Sequence, residues 1–336
     1  MRVKKLLAAA VLSAAAGLAQ AQAESFSFDP SGGGGAVTNL TGAMSLDWGP
    51  GNALAIVGNP SGGLADDQEI TLLYQANLAD VNDDNGDSLF SNGDDGFYFT
   101  VVAGLTEIVQ VDETDGSLSF TMAPDQSGSF FYVYAMTDSG TNVDGTGFAS
   151  GAGLDGIVGT ADDNIILAGT LLSISGSNFS APLVDTNGDG VPDAPDTALF
   201  DNFDDDDYNN TQTIVGTGAT NLSWLVTFVD SNYFTDMNLL NMIITTAINS
   251  SLITPFQQID PSAEFSIDGL ADGGTLANIG DCNGCLQNDD DLNFQFQADA
   301  NSSFERQAVP EPGSLALIGV ALGALGFMRR RARSAA

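Results

Sequence analysis

Hydrophobic and polar residues alternate along much of the chain with a period of two. Leu118, Phe120 and Met122 are spaced by Ser119 and Thr121. Leu222, Trp224, Val226 and Phe228 point to one side with Ser223 and Thr227 between them, and Leu292, Phe294 and Phe296 alternate with Asn293, Gln295 and Gln297. Successive side chains of a strand face opposite ways, so this pattern predicts half-buried antiparallel strands. Residues 97–111 and 129–136 are apolar at both parities and predict central strands covered on both faces. Asp115-Gly116, just after the first of these runs, is a hairpin signal. Only residues 231–250 offer helical spacing, through Phe234, Met237, Leu240, Ile244 and Ile248, and their Ile and Thr content suits a strand nearly as well. Residues 32–35, 80–96 and 201–210 read as glycine-rich or acidic loops. The expected fold is mainly β, an antiparallel β-sandwich or jelly-roll-like single domain.

Charge narrows the chemistry. The 336 residues include 44 Asp and Glu, 8 Lys and Arg, and no histidine. Arg2, Lys4 and Lys5 open the chain, and Arg329, Arg330, Arg331 and Arg333 close it. Residues 24–309 therefore hold one basic residue, Arg306, and every acidic residue except Glu311. A nucleic-acid surface needs Lys and Arg to displace counterions from phosphates, so nucleic acid is excluded as a partner, as is electrostatic attachment to anionic lipid. Without histidine, Ser-His-Asp and Cys-His catalysis and His-ligated zinc are excluded too. A glycosidase needs only two carboxylates, but nothing singles out a pair, and the chain is expected not to be an enzyme.

Both ends have the form of targeting signals. Residues 1–23 combine a basic start, an apolar run from Leu6 to about Leu18, and small residues at Ala19, Ala21 and Ala23; they predict a secretory signal peptide. Residues 24–309 form the exported body. Residues 310–336 begin with Pro310-Glu311-Pro312, continue through an apolar run over residues 314–328, and end in the arginine cluster. Arginines after an apolar run stay on the cytoplasmic side, which leaves the body outside the inner membrane.

Within the body, residues 185–196 (DTNGDGVPDAPD) have the spacing of a calcium loop. Side-chain oxygens fall at Asp185, Asn187, Asp189, Asp193 and Asp196, Val191 offers its backbone carbonyl, and Gly190 permits the bend. Asp155, Asp162 and Asp163 make a possible second calcium site, and residues 80–87 carry a similar but displaced pattern. Calcium is expected as a structural cofactor that neutralises clustered carboxylates. Cys282 and Cys285, in CNGC, have neither a second CxxC nor a histidine to complete a metal site; in an exported chain they predict a disulfide across the Asn-Gly turn.

The tripartite tail over residues 310–336 resembles the PEP-CTERM sorting signal of Gram-negative bacteria. That resemblance implies exosortase as a processing partner, a transient hold on the inner membrane, removal of the tail near Pro310, and delivery to the cell surface or extracellular matrix. Residues 47–55 (DWGPGNALA), 99–107 (FTVVAGLTE), 144–148 (DGTGF) and 294–304 (FQFQADANSSF) also resemble the flocculation-associated PEP-CTERM proteins. This second resemblance implies a matrix protein that retains extracellular polysaccharide and promotes aggregation, and it transfers no catalytic residue. The alternative is a calcium-stabilised carbohydrate-binding module in which Trp48, Trp224 or a loop tyrosine stacks on a sugar or, further off, a secreted glycosidase.

Overall fold

The computed structural model describes residues 23–33, 39–57, 66–111, 118–136, 164–180, 183–184, 197–198, 217–235, 239–249, 270 and 294–306. Residues Ala23–Glu305 form one compact unit. Among the described residues there are fourteen strands: β1 (Phe26–Phe28), β2 (Leu40–Ala43), β3 (Ser45–Ile56), β4 (Glu69–Asn82), β5 (Ser88–Ser91), β6 (Tyr98–Val111), β7 (Leu118–Met122), β8 (Phe130–Met136), β9 (Ile165–Ser180), β10 (Leu183–Val184), β11 (Thr197–Ala198), β12 (Thr217–Val229), β13 (Ile243–Asn249) and β14 (Phe294–Glu305). The one helical element described from end to end is the 3-10 turn Asp94–Gly96.

The main sheet closes on itself. Around the ring the order is β3, β4, β6, β8, β9, β12, β13, β14 and back to β3, with every pairing antiparallel. β7 and β8 run in the same direction and both lie between β6 and β9, so they act as one interrupted strand. The interruption is pinned by Gln126, whose amide donates to the carbonyls of Thr106 and Ala123. The result is an eight-stranded barrel in which ring neighbours follow one another in sequence. The expected β content and antiparallel pairing are observed. The expected sandwich or jelly roll is not: those architectures need crossing connections between two sheets, whereas here β14 returns to β3 and leaves one continuous wall.

The region with helical spacing folds otherwise. Residues 243–249 form β13, where Ile243, Ile244, Thr245, Thr246 and Ile248 are β-branched and ladders on both sides satisfy the backbone. β12 buries Leu222, Trp224 and Val226 inside the barrel, but a register irregularity between Val226 and Phe228 turns Phe228 to the other face. The runs in β6 and β8 are covered on both faces as expected. Val101, Ala103, Leu105, Phe131 and Val133 join the main core, while Val102, Phe130 and Tyr134 join Leu54, Leu73, Ile165 and Ala168 in a second apolar cluster.

One end of the barrel is plugged. β1 crosses it, with the Asp29 N–H donating to the Tyr233 carbonyl (2.7 Å) and the Glu24 N–H to the Phe304 carbonyl (2.9 Å). Phe26, Phe28, Phe90, Phe99, Phe234 and Phe304 meet there at ring separations of 4.8–6.4 Å, mostly edge to face. Next to them the Trp48 indole N–H donates to Ser302 Oγ (2.9 Å), and Ser302 Oγ shares a 2.9 Å hydrogen bond with Thr246 Oγ1.

Candidate functional site

At the opposite end the described residues leave a small space. Alternation along β3 places Ala53 and Ala55 inward, and these short side chains leave a cavity against β4, β6, β7, β9, β12, β13 and β14. The enclosed volume is about 50 Å³. Ile70, Leu72, Phe120, Phe179, Ile248 and Phe296 form apolar walls, and exposed Asn178 and Ala219 lie at the rim. Phe179 and Phe296 are in ring contact, with centroids 5.2 Å apart.

Three polar side chains from separate strands lie in this apolar wall. Glu107 lies on the inward parity of β6, in phase with Val101, Ala103, Leu105 and Val109, and is 3% exposed. Its Oε1 accepts a long hydrogen bond from Ser177 Oγ (3.4 Å). Burial, only partly offset by that bond, pushes its pKa from 4.5 up to about 7. Tyr74 on β4 is buried, its hydroxyl has no hydrogen-bond partner, and burial raises its pKa well above 10, with the charges of Asp299 and Asp47 adding to the effect. Thr220 Oγ1 on β12 is buried and without a partner as well. A buried hydroxyl without a partner costs about 1–3 kcal/mol.

The site residues expected from sequence fall outside the described residues. Asp185, Asn187, Asp189, Val191, Asp193 and Asp196, together with Asp155, Asp162 and Asp163, are outside the described residues. So are Cys282 and Cys285, Pro310, Glu311 and Pro312, and Arg329, Arg330, Arg331 and Arg333. The flanks of residues 185–196 are described: β10 and β11 pair, with Val184 opposite Thr197, so the residues before and after this twelve-residue stretch are cross-strand neighbours. The weaker pattern at residues 80–87 is a β4–β5 hairpin whose carboxylates serve the turn itself. Asp83 Oδ1 accepts from the Asn85 and Asp87 N–H groups (2.8 and 2.9 Å), which lowers its pKa. Asp80 Oδ1 accepts from Ser88 Oγ and Ser91 Oγ (2.7 and 2.6 Å). Among the described residues no group of three acidic or thiol side chains is placed to hold a metal.

Trp48 and Trp224 are 1% and 0% exposed in the barrel interior, which rules them out as sugar-stacking platforms. Glu107 is not among the site residues expected from sequence. The signal that could have found it is its phase, a carboxylate on the inward parity of an otherwise apolar strand.

Among the described residues no helix is long and apolar enough to cross a membrane. No curated protein and no solved structure matches the chain. Residues 308–332 match the family model of the PEP-CTERM protein-sorting motif. The chain thus carries the sorting motif expected at its C-terminus, which implies an exosortase-targeted exported protein sorted to the cell surface of a Gram-negative bacterium.

Proposed function

We propose that the chain is a non-enzymatic matrix protein, processed by exosortase and released to the cell surface, which retains extracellular polysaccharide and promotes flocculation with calcium as the bridging and structural ion. The observation that carries this reading is the sorting motif at residues 308–332 behind a body with a single basic residue. A body of that charge repels acidic polysaccharide unless divalent cations are shared between the two, and calcium turns the repulsion into cohesion. The paired flanks of residues 185–196 favour calcium there, because a twelve-residue ligand loop needs its ends held together.

The test is settling of a deletion strain complemented with the full chain or with a version ending at Val309, in medium with and without calcium. Restoration by the full chain alone, and only with calcium, is the expected result. Unchanged settling on deletion overturns the flocculation role. Full restoration in calcium-free medium overturns the bridging ion while leaving the matrix role in place.

A further inference from the structure

β9, β12 and β13 contain no charged residue, although every acidic residue of the chain except Glu311 lies within residues 24–309. Their outward positions, with those of β14, form rows of hydroxyl and amide side chains aligned by the ladders. Ser173, Ser223, Thr245 and Ser303 are successive cross-strand partners, and the row runs on through Ser45 on β3 to Asn82 on β4. Beside it, Ser175 pairs with Asn221, and Asn221 connects through Ala247 to Asn301. Ser173, Ser175, Asn221 and Asn301 are exposed, while Ser223, Thr245 and Ser303 are half-buried. On the other side of the first row lie the outward partners Leu225 and Ile243, and Leu172, which is 40% exposed. Neighbouring strands are about 4.8 Å apart, so the first row offers one hydroxyl per strand over about 14 Å from β9 to β14. The outer face on the β6 and β8 side differs, because there Leu73, Val102 and Tyr134 are buried in the second apolar cluster.

Charge sorts the partners this face can take. A basic partner finds no carboxylate on β9, β12 or β13, and an acidic one is repelled by the body around them. A second copy of the chain brings the same negative charge. A neutral polyhydroxyl chain meets neither obstacle. Its hydroxyls donate to and accept from Ser, Thr and Asn side chains, and its C–H faces pack on Leu172, Leu225 and Ile243. The strand spacing is close to the length of one pyranose unit in an extended β-linked glycan, so a chain laid across the strands keeps step with the rows. We propose that the outer face of β9, β12, β13 and β14 docks a neutral, extended polysaccharide chain without calcium. The proposal deepens the matrix reading, on which the presence of polysaccharide rests, and adds a mode of attachment that needs no bridging cation. Each contact of this kind is weak, so affinity grows with the length of glycan engaged.

The probes are hydroxyethyl cellulose, neutral and extended, and alginate, which is acidic, each cast into native gels through which the purified full chain migrates with a calcium chelator present. Hydroxyethyl cellulose is expected to retard the chain, and alginate is not. Thr245→Glu puts a charge in the middle of the first row and should weaken the apparent Kd by about tenfold or more. Gln110→Glu adds the same charge at an exposed position of β6 and should leave it within about twofold. Thr245→Val removes the hydroxyl with little change of shape and should weaken it about threefold. Should Thr245→Glu fail to fold, Thr245→Val and the contrast between the two glycans decide. No retardation by hydroxyethyl cellulose, equal retardation by alginate, or equal losses in Thr245→Glu and Gln110→Glu overturns the proposal. So does a dimer of the unaltered chain that Thr245→Glu dissociates, which assigns the face to a second copy. The settling assay reads the matrix role separately: unchanged settling on deletion with gel retardation intact overturns that role and leaves this face standing, whereas calcium-dependent settling without retardation overturns this face alone.

Discussion

Glu107→Gln tests the barrel's energetics. The carboxyl is 3% exposed, and its pKa is about 7 against an ordinary 4.5. A folded pKa raised above the unfolded one means that the native state binds the proton more tightly. The associated stability is fully present below pH 4.5, declines as pH rises, and is gone above pH 7. At 1.36 kcal/mol for each pH unit, the full difference is about 3 kcal/mol, of which roughly 2.5 falls between pH 5 and pH 8. Glutamine keeps the acceptor for Ser177 Oγ and removes the titration, so the variant gains on the native chain as pH rises. Repulsion among the other carboxylates is common to both proteins and cancels in the comparison. The assay is urea unfolding of both proteins at pH 5, 6, 7 and 8, at fixed ionic strength and calcium, followed by far-ultraviolet circular dichroism with linear extrapolation. A stability difference that changes by about 2.5 kcal/mol over this range is the expected result. A difference that stays constant within about 0.5 kcal/mol refutes the inward, desolvated placement of Glu107, and so does one that changes in the opposite sense.

Three further outcomes can be measured in the same way. A Cβ at Gly51 would overlap the Gln75 carbonyl and Ala76 on the neighbouring strand; Gly51→Ala should cost about 1–3 kcal/mol, while Gly128→Ala, with open space around it, should change stability by less than about 0.5 kcal/mol. Ser302→Ala removes the acceptor of the Trp48 indole N–H and the partner of Thr246 Oγ1 inside the barrel, and should lower stability in urea by about 1–3 kcal/mol. Asp47 has its pKa raised by burial and by the neighbouring charge of Asp80, against the effect of the Asn301 amide, so its charged form opposes folding above pH 4; Asp47→Asn should raise Tm at pH 7 and leave it unchanged at pH 3.

Strand identity was legible because it is written locally. Leu222, Trp224 and Val226 share one parity and one environment, and nothing beyond their own spacing was needed to place them inward. Phe228 breaks the same rule because an irregularity in the β9–β12 ladder slips the register, and no local pattern announces which ladder will slip. Residues 243–249 fit two periods at once, and the choice of strand was made by ladders to β12 and β14, not by the residues themselves. Closure into a barrel depends on β14 meeting β3 across most of the chain, a pairing that carries no sequence signature. The cavity follows from closure, so Glu107 and Ser177 look unrelated until the wall is complete. The oxygens at residues 80–87 had a calcium-like spacing, yet Asp80 and Asp83 use theirs to fasten a hairpin; spacing alone does not separate a ligand from a turn.

The seam between β3 and β14 also sets when the body can fold. Trp48 and Ser302 are 254 positions apart and lie side by side in the finished wall. During export of such a chain, the first side of the seam emerges early and the last side emerges just before the tail. Until then β3 has one free edge and the aromatic plug lacks Phe304, so any earlier assembly is an open sheet with exposed backbone groups. Contacts this distant are formed late and slowly. Folding of the body is therefore timed to the last segment before the sorting motif, and a truncation inside β14 should produce a chain that is exported but never closes.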